Sequence, residues 1–445
     1  MVRFSSSGNS DLRKRKAGDF GVANLVLRKA IIVIPLLLIV VGLIQGCFFV
    51  VQTRTVAMNN NSADQLIEDL ISWLQSNGAF IDERISIRHV DPTDPTSIRG
   101  MFADHGSFDA GETMIIIPDA LIYDGRVNEA KKNADKVWMD KKHGDCATTY
   151  EIHDAMLTGS TPYGRYLAHQ PHRYVPGYFS SEGRELLRKI LGKNLPDQHA
   201  VEDSVKIDWL DWCTGATSDE LEVHAAMLVT ARADGRLMVP YYDMINHRNG
   251  RWQNAQHHRS KNKEFALITN QKVEKGEQFY LSYDTCKICG SRLDSWGTPE
   301  MFRGYGFVEP FPQRYLIDSA RLKFALDEKK SALETSKRHV DKVGNNSELV
   351  VKWYVPPSQA GLDFLQMELN RLQELGTRKD VLKGNPQAVT DSEWNAIWTY
   401  HQALVVAFTT ALKHAPAEQI SDEVWSMGKK WYNDLSGDDM LHRFY

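Results

Sequence analysis

Between Ala30 and Thr53 the chain runs IIVIPLLLIVVGLIQGCFFVVQ without a charge. About twenty apolar residues suffice to cross a bilayer as a helix, and a segment apolar on every side has no polar face to turn to water. Pro35, Gly42 and Gly46 are tolerable in such a helix. Arg13, Lys14, Arg15, Lys16, Arg28 and Lys29 stand before it, whereas Arg54 and then the acids Asp64, Glu68 and Asp69 follow. The positive-inside bias therefore predicts a cytosolic amino terminus and a lumenal remainder. A cleaved signal peptide has a shorter basic region and small residues at its exit; here the exit reads Cys47-Phe48-Phe49-Val50-Val51. The expectation is a basic disordered tail over 1–29, an uncleaved single-pass anchor over 30–52 and an Asn-rich linker over 53–62. A processed organelle-targeting presequence is the alternative. Asn-Asn-Ser sequons at Asn60 and Asn345 suit a lumenal location without deciding it.

The remaining chain is long enough for a sizeable core, since 445 residues with 42% hydrophobic and 25% charged side chains are ordinary for a globular protein. A net charge of −4 offers no basic field for nucleic acid, so the expected partner is a protein. Five cysteines, Cys47, Cys146, Cys213, Cys286 and Cys289, are too few and too scattered for a disulfide framework.

Helical spacing of Leu66, Ile67, Leu70, Ile71 and Leu74 predicts a helix over 64–75, stopped by Asn77-Gly78. Short strands are expected where Ile85 and Ile87 alternate with polar residues, from Thr113 to Ile117 before Pro118, and over Leu237 to Pro240. The region from about 128 to 232 reads as mostly helical, with one helix from Ser181 to Leu191 closed by Gly192 and another from Glu220 to Arg232. Beyond Pro312 the pattern predicts long helices only: Leu362, Leu365, Leu369 and Leu372 up to Gly376, a helix capped by Thr390 and Glu393 up to Pro416, and a last one around Val424, Trp425 and Trp431.

Three blocks carry the chemistry. Arg99-Gly100-Met101-Phe102-Ala103 is followed by Ala110-Gly111-Glu112; Tyr242-Asp243-Met244-Ile245-Asn246-His247 comes next; Gly276-Glu277-Gln278-Phe279-Tyr280-Leu281-Ser282-Tyr283 leads to Tyr305-Gly306-Phe307. In this order they resemble the core of the SET-domain protein methyltransferases, of the class typified by the RuBisCO large-subunit lysine methyltransferase. The resemblance implies an α+β fold: a SET-domain β-fold over 63–312 with a knot-like crossing and a helical insertion, then an all-helical lobe over 313–445 that helps grip a protein substrate. It implies S-adenosyl-L-methionine as cofactor, held by Gly100, Met101, Arg232, Asn246 and His247. Tyr283 is implied as the catalytic hydroxyl that orients the incoming nitrogen, with Tyr305 and Phe307 walling the substrate channel.

The implied reaction is attack of a side-chain amine, lysine in the first instance, on the methyl carbon of a sulfonium that is already cationic. Position and desolvation then carry most of the rate. A dry channel beside a positive charge also favours the neutral amine over the ammonium. Relatives carry an Asn where Thr298 stands, and Cys286 to Trp296 reads as an insertion in which Cys286 and Cys289 could pair in an oxidising compartment. Two alternatives stand beside the enzyme: a SET-like binding module without turnover, and a protein-histidine methyltransferase. Asp243, His247, His257 and His258, with Cys286 and Cys289, match no familiar metal spacing, so no metal is expected.

Overall fold

In a computed structural model, residues 63–94, 97–125, 144–172, 174–195, 201–260, 263–283, 297–329, 348–382 and 388–416 are described. The basic tail, the anchor, the linker, the 286–296 insertion with Cys286 and Cys289, both sequons and the last expected helix lie outside these residues. Among the described residues no helix is long and apolar enough to cross a membrane.

Helix α1 (Ala63–Ser76) buries Leu66, Ile67, Leu70 and Leu74 along one face. It stops where expected: the Asn77 side chain donates back to the Trp73 carbonyl, and Gly78 takes φ +88°, which L side chains avoid. Four short strands follow, β1 (Phe80–Ile81), β2 (Ser86–His89), β3 (Arg99–Phe102) and β4 (Thr113–Ile117). After a helical region come β5 (Asn246–His247), β6 (Ala255–Arg259), β7 (Phe265–Thr269) and β8 (Tyr280–Leu281). One antiparallel sheet has the order β1-β4-β7-β6; β2 pairs with β3, and β5 pairs with β8 in parallel. The expected strand over Leu237 to Pro240 reduces to single bridges, Asp234 to Leu237 and Tyr123 to Met238.

The helical region holds α2 (Gly144–Thr158), α3 (Pro162–Ala168), α4 (Ser181–Leu191), a wide-turned helix Val205–Trp212 and α5 (Glu220–Arg232). These helices divide among three cores, the smallest built by Trp209 of the wide-turned helix with Ala226, Met227 and Ala231 of α5. Ile152, Met156, Tyr163, Leu167, Leu228 and Val229 from α2, α3 and α5 pack with the sheet residues Ile115, Phe265 and Leu267. Leu186, Leu187 and Ile190 of α4 pack instead with the carboxy-terminal helices. Helix α4 has the expected bounds, and Ser180 caps it: its hydroxyl oxygen accepts from Gly183 N at 3.0 Å. One disulfide forms despite the scattered cysteines, Cys146 to Cys213, with Cα atoms 5.4 Å apart.

The lobe after Pro312 is not all-helical. Helix α6 (Thr298–Tyr305) leads into an antiparallel sheet in the order β11-β10-β9, made of β9 (Gln313–Ile317), β10 (Leu322–Glu328) and β11 (Leu349–Trp353). The reason is a period of two that the helical reading passed over: Gln313, Tyr315 and Ile317, then Leu322, Phe324 and Leu326, are buried at alternate positions. Helices α7 (Gln359–Thr377) and α8 (Asp391–Lys413) match the expected spans and bury Leu365, Leu372, Ile397, Leu404 and Phe408 against that sheet and α4.

Glu393 joins these parts. Fully buried, it accepts from Thr390 N at 3.1 Å in the capping box of α8, and from Ser180 N at 2.6 Å and Ser180 Oγ at 2.9 Å at the start of α4. Glu393→Ala strips the acceptor from the half-buried Ser180 N–H, at about 1–3 kcal/mol when left buried and unpaired, and also from the Ser180 hydroxyl and the exposed Thr390 N–H, whereas Thr390→Ala loses a single cap worth about 1 kcal/mol. Urea unfolding should therefore rank Glu393→Ala well below Thr390→Ala, and equal midpoints would contradict the bridging role.

Candidate active site

Three chain segments remote in sequence are stitched together at β3, β5 and β8. Asn246 pairs with Tyr280 and His247 with Leu281 in parallel register, and Arg248 N donates to the Leu281 carbonyl at 2.9 Å. Phe279 N donates to the Met101 carbonyl at 2.8 Å, and the Asn246 side-chain amide donates to the Arg99 carbonyl at 2.9 Å. Gly100 lies at the tightest point. A Cβ there would come within 2.2 Å of Gln278 Nε2 and 2.9 Å of Asn246 Nδ2, so any larger residue would push both side-chain amides out of place. Gly100, Met101, Asn246 and His247, expected to act together from their order in sequence, are thus neighbours.

Tyr283 closes the junction. Its ring packs against His247, with centroids 5.1 Å apart, and against Tyr305 at 4.9 Å, with Phe307 at 6.4 Å. Tyr305 and Phe307 lie 6.2 Å from each other, and Phe307 is 6.1 Å from His247. An aromatic wall therefore surrounds the phenol. The Tyr283 hydroxyl donates to the Ile245 carbonyl, and the Tyr283 carbonyl accepts from the Tyr305 hydroxyl at 3.5 Å. With its hydrogen committed to Ile245, the phenol oxygen keeps its lone pairs as acceptors for an incoming N–H.

Arg232, at the end of α5, reaches the same region through the buried Asp243. Its guanidinium donates to the Asp243 carboxylate at 3.2 Å, to the Asp243 carbonyl at 3.3 Å and to the Gln170 side chain at 2.8 Å. Burial pushes the Asp243 carboxyl up, ahead of the opposing pull of Arg232. Burial works against the Arg232 charge, but Tyr166, Tyr174 and Asp243 outweigh it and hold the guanidinium charged. Burial also raises the phenols of Tyr163, Tyr166, Tyr283 and Tyr305, Tyr166 and Tyr305 to about 12.

Sequence order missed two residues. Glu309, fully buried, meets His247 Nε2 at 2.9 Å and accepts from Asn249 Nδ2 at 2.8 Å and from the Thr298 hydroxyl at 2.7 Å. Thr298, which stands where the resemblance calls for Asn, is therefore built into the site. Gln278 is the second. Its amide oxygen accepts from the Tyr280 hydroxyl at 2.8 Å, while its amide nitrogen is buried without a protein partner beside Gly100 and Asn246. Neither residue type carries a spacing signal; only contact reveals them.

Two of the three histidines weighed as metal ligands meet protein side chains. His257 meets the Tyr242 hydroxyl at 2.9 Å and the Asp234 carboxylate at 3.1 Å, His247 is held by Glu309, and His258 is exposed. Asp243 is taken by Arg232.

No family model and no curated protein matches the chain. Among solved structures it is similar to the SET domain of LSMT bound to lysine and AdoHcy, at 14% identity over 84% of this chain and 99% of that one, with a TM-score of 0.45. It is also similar to Rubisco LSMT bound to AdoMet, and to Rubisco LSMT bound to sinefungin and monomethyllysine. Each of these is 15% identical over 85% of this chain and 99% of the other, with a TM-score of 0.44. Scores of this size carry no functional argument, which rests on the site itself.

The raised phenols have a stability consequence of definite sign. Unfolded tyrosine ionises near pH 10, whereas Tyr166 and Tyr305 hold their protons to about 12 in the fold. The unfolded chain thus releases protons first, and stability falls as pH rises from about 10 through the folded values. Urea midpoints measured across that range should decrease, and the Tyr305→Phe variant should show a shallower decrease.

Proposed function

We propose that this chain transfers a methyl group from S-adenosylmethionine to a side-chain nitrogen, lysine in the first instance, of a non-histone protein. The observation that carries the reading is the Tyr283 phenol: it stands at the junction of β5 and β8, its hydrogen given to Ile245 and its lone pairs left for an amine. The buried, unspent amide of Gln278 beside Gly100 and Asn246 fits a ligand rich in acceptors, as the methyl donor is. Gly100, Met101, Asn246, His247 and Arg232 would hold the donor together with Gln278. Bound there, the donor supplies a cationic sulfonium whose methyl needs no further activation.

The chain's own residues then act by position. Tyr283 accepts a hydrogen bond from the attacking nitrogen and aligns it, without serving as base, because burial keeps its phenol protonated above the usual range. Tyr305 and Phe307 exclude water from the acceptor, which favours the neutral amine. The expected pH–rate profile rises with pH as the amine loses its proton, with no descending limb from Tyr283 or Tyr305 below pH about 11. Calorimetry with S-adenosylmethionine and transfer of labelled methyl to cell extract test the reading in turn. Tyr283→Phe should keep donor affinity and lose about 10²–10³-fold in turnover. Donor binding with no transfer to any protein would favour a binding module, and labelled histidine in the product peptide would correct the acceptor.

We further propose that the catalytic domain works on the lumenal side of a membrane, anchored through 30–52. The Cys146–Cys213 disulfide supports this, since such bonds persist in oxidising compartments. Alkylation without reductant should leave both thiols unmodified, and glycopeptide mapping should find sugar at Asn60 or Asn345. Free thiols in freshly lysed cells together with unmodified sequons would sink the topology.

A further inference from the structure

His247 is tied at both ring nitrogens, and the two ties impose a direction on each other. Its Nδ1 stands 2.9 Å from Tyr283 N. A backbone N–H can only donate, so Nδ1 is an unprotonated acceptor and the ring hydrogen sits on Nε2. Nε2 in turn donates to Glu309 at 2.9 Å. The rest of the Glu309 environment fits the same sense. The Thr298 oxygen accepts from Arg314 N at 3.2 Å and gives its hydrogen to Glu309. The Asn249 side-chain amide oxygen accepts from the Ser282 hydroxyl at 2.7 Å, which turns the Asn249 amide nitrogen toward Glu309. One carboxylate thus reaches two consecutive residues of the catalytic segment, Ser282 through Asn249 and Tyr283 through His247.

We propose that Glu309, steadied by Thr298, is a positioning residue for methyl transfer: it selects the Nε2–H tautomer of His247, which alone can hold the Tyr283 backbone N–H and so aim the phenol. An acid fully buried away from water is expensive, and an apolar side chain of the same volume would pack there at lower cost. Its hydrogen-bonding direction is what an apolar substitute cannot supply. The effect on transfer rests on the reading of Tyr283 given above; the tautomer does not.

The test uses the full chain labelled with ¹⁵N-histidine, as wild type, Glu309→Gln and Glu309→Met. Wild type should show His247 with its hydrogen on Nε2 and an unprotonated Nδ1. Glu309→Gln, whose amide oxygen still accepts from Nε2, should keep that pattern and keep turnover within about threefold. Glu309→Met should mix the tautomers and lower kcat by about tenfold to a hundredfold, with the donor KM nearly unchanged. An Nδ1–H ring in wild type would overturn the proposal. So would a folded Glu309→Met protein with wild-type His247 signals, or one in which the donor KM changes and kcat does not. If Glu309→Met fails to fold, the wild-type tautomer and the Glu309→Gln rescue still decide. A wild-type chain that transfers no methyl sinks the functional reading, while the nitrogen spectra judge Glu309 independently.

Discussion

The parallel pairing of Asn246-His247 with Tyr280-Leu281 is the constraint on which the site rests. A parallel ladder this short supplies few backbone hydrogen bonds and is weak by itself. Side chains make up the difference. Asn254 accepts from Tyr280 N and donates to the Gln278 carbonyl, both at 2.8 Å, and the His247 ring takes the N–H of Tyr283. Polar side chains thus stand in for missing strand partners, which lets the Tyr283 phenol lie beside a backbone turn where a longer regular sheet would leave no opening.

Those polar groups sit in a place that would be cheaper to fill with hydrocarbon. Asp243 and Glu309 are both taken from water, one against Arg232 and the other against His247, Asn249 and Thr298. Glu309 is stable because donors meet both of its oxygens, whereas Asp243 relies on Arg232 for one oxygen alone, and breaking either arrangement leaves an uncompensated buried group. Orientation follows from that: a carboxylate with several donors has one comfortable pose, and the rings it touches inherit it. The half-buried aromatic wall of Tyr283, Tyr305 and Phe307 packs beside these hydrogen bonds.

Much of the site was legible before the fold. Gly100, Asn246, His247 and Tyr283 stand in a recognisable order, and the structure brings them together. Helices α1, α5, α7 and α8 were legible too, because a 3.6-residue repeat of Leu, Ile and Trp is a local signal. The sheet of β9, β10 and β11 was present in the sequence as alternation at Tyr315, Ile317, Leu322, Phe324 and Leu326, but runs this short are easily read as pieces of helix. Glu309 carried no signal, since a single Glu in a polar sequence reads as surface, and Gln278 lay inside the third block without a role.

By itself the sequence determined where the chain is apolar all round, where helices begin and stop, and which glycine and which amide, imidazole and phenol belong to one motif. These are local properties, set by side-chain size, charge and repeat. Only the tertiary structure decided that Cys146 reaches Cys213, that α4 serves the carboxy-terminal core, and that a buried Glu309 dictates which nitrogen of His247 carries hydrogen. Such facts depend on distances between residues far apart in the chain, and a hydrogen bond's direction exists only once donor and acceptor have met.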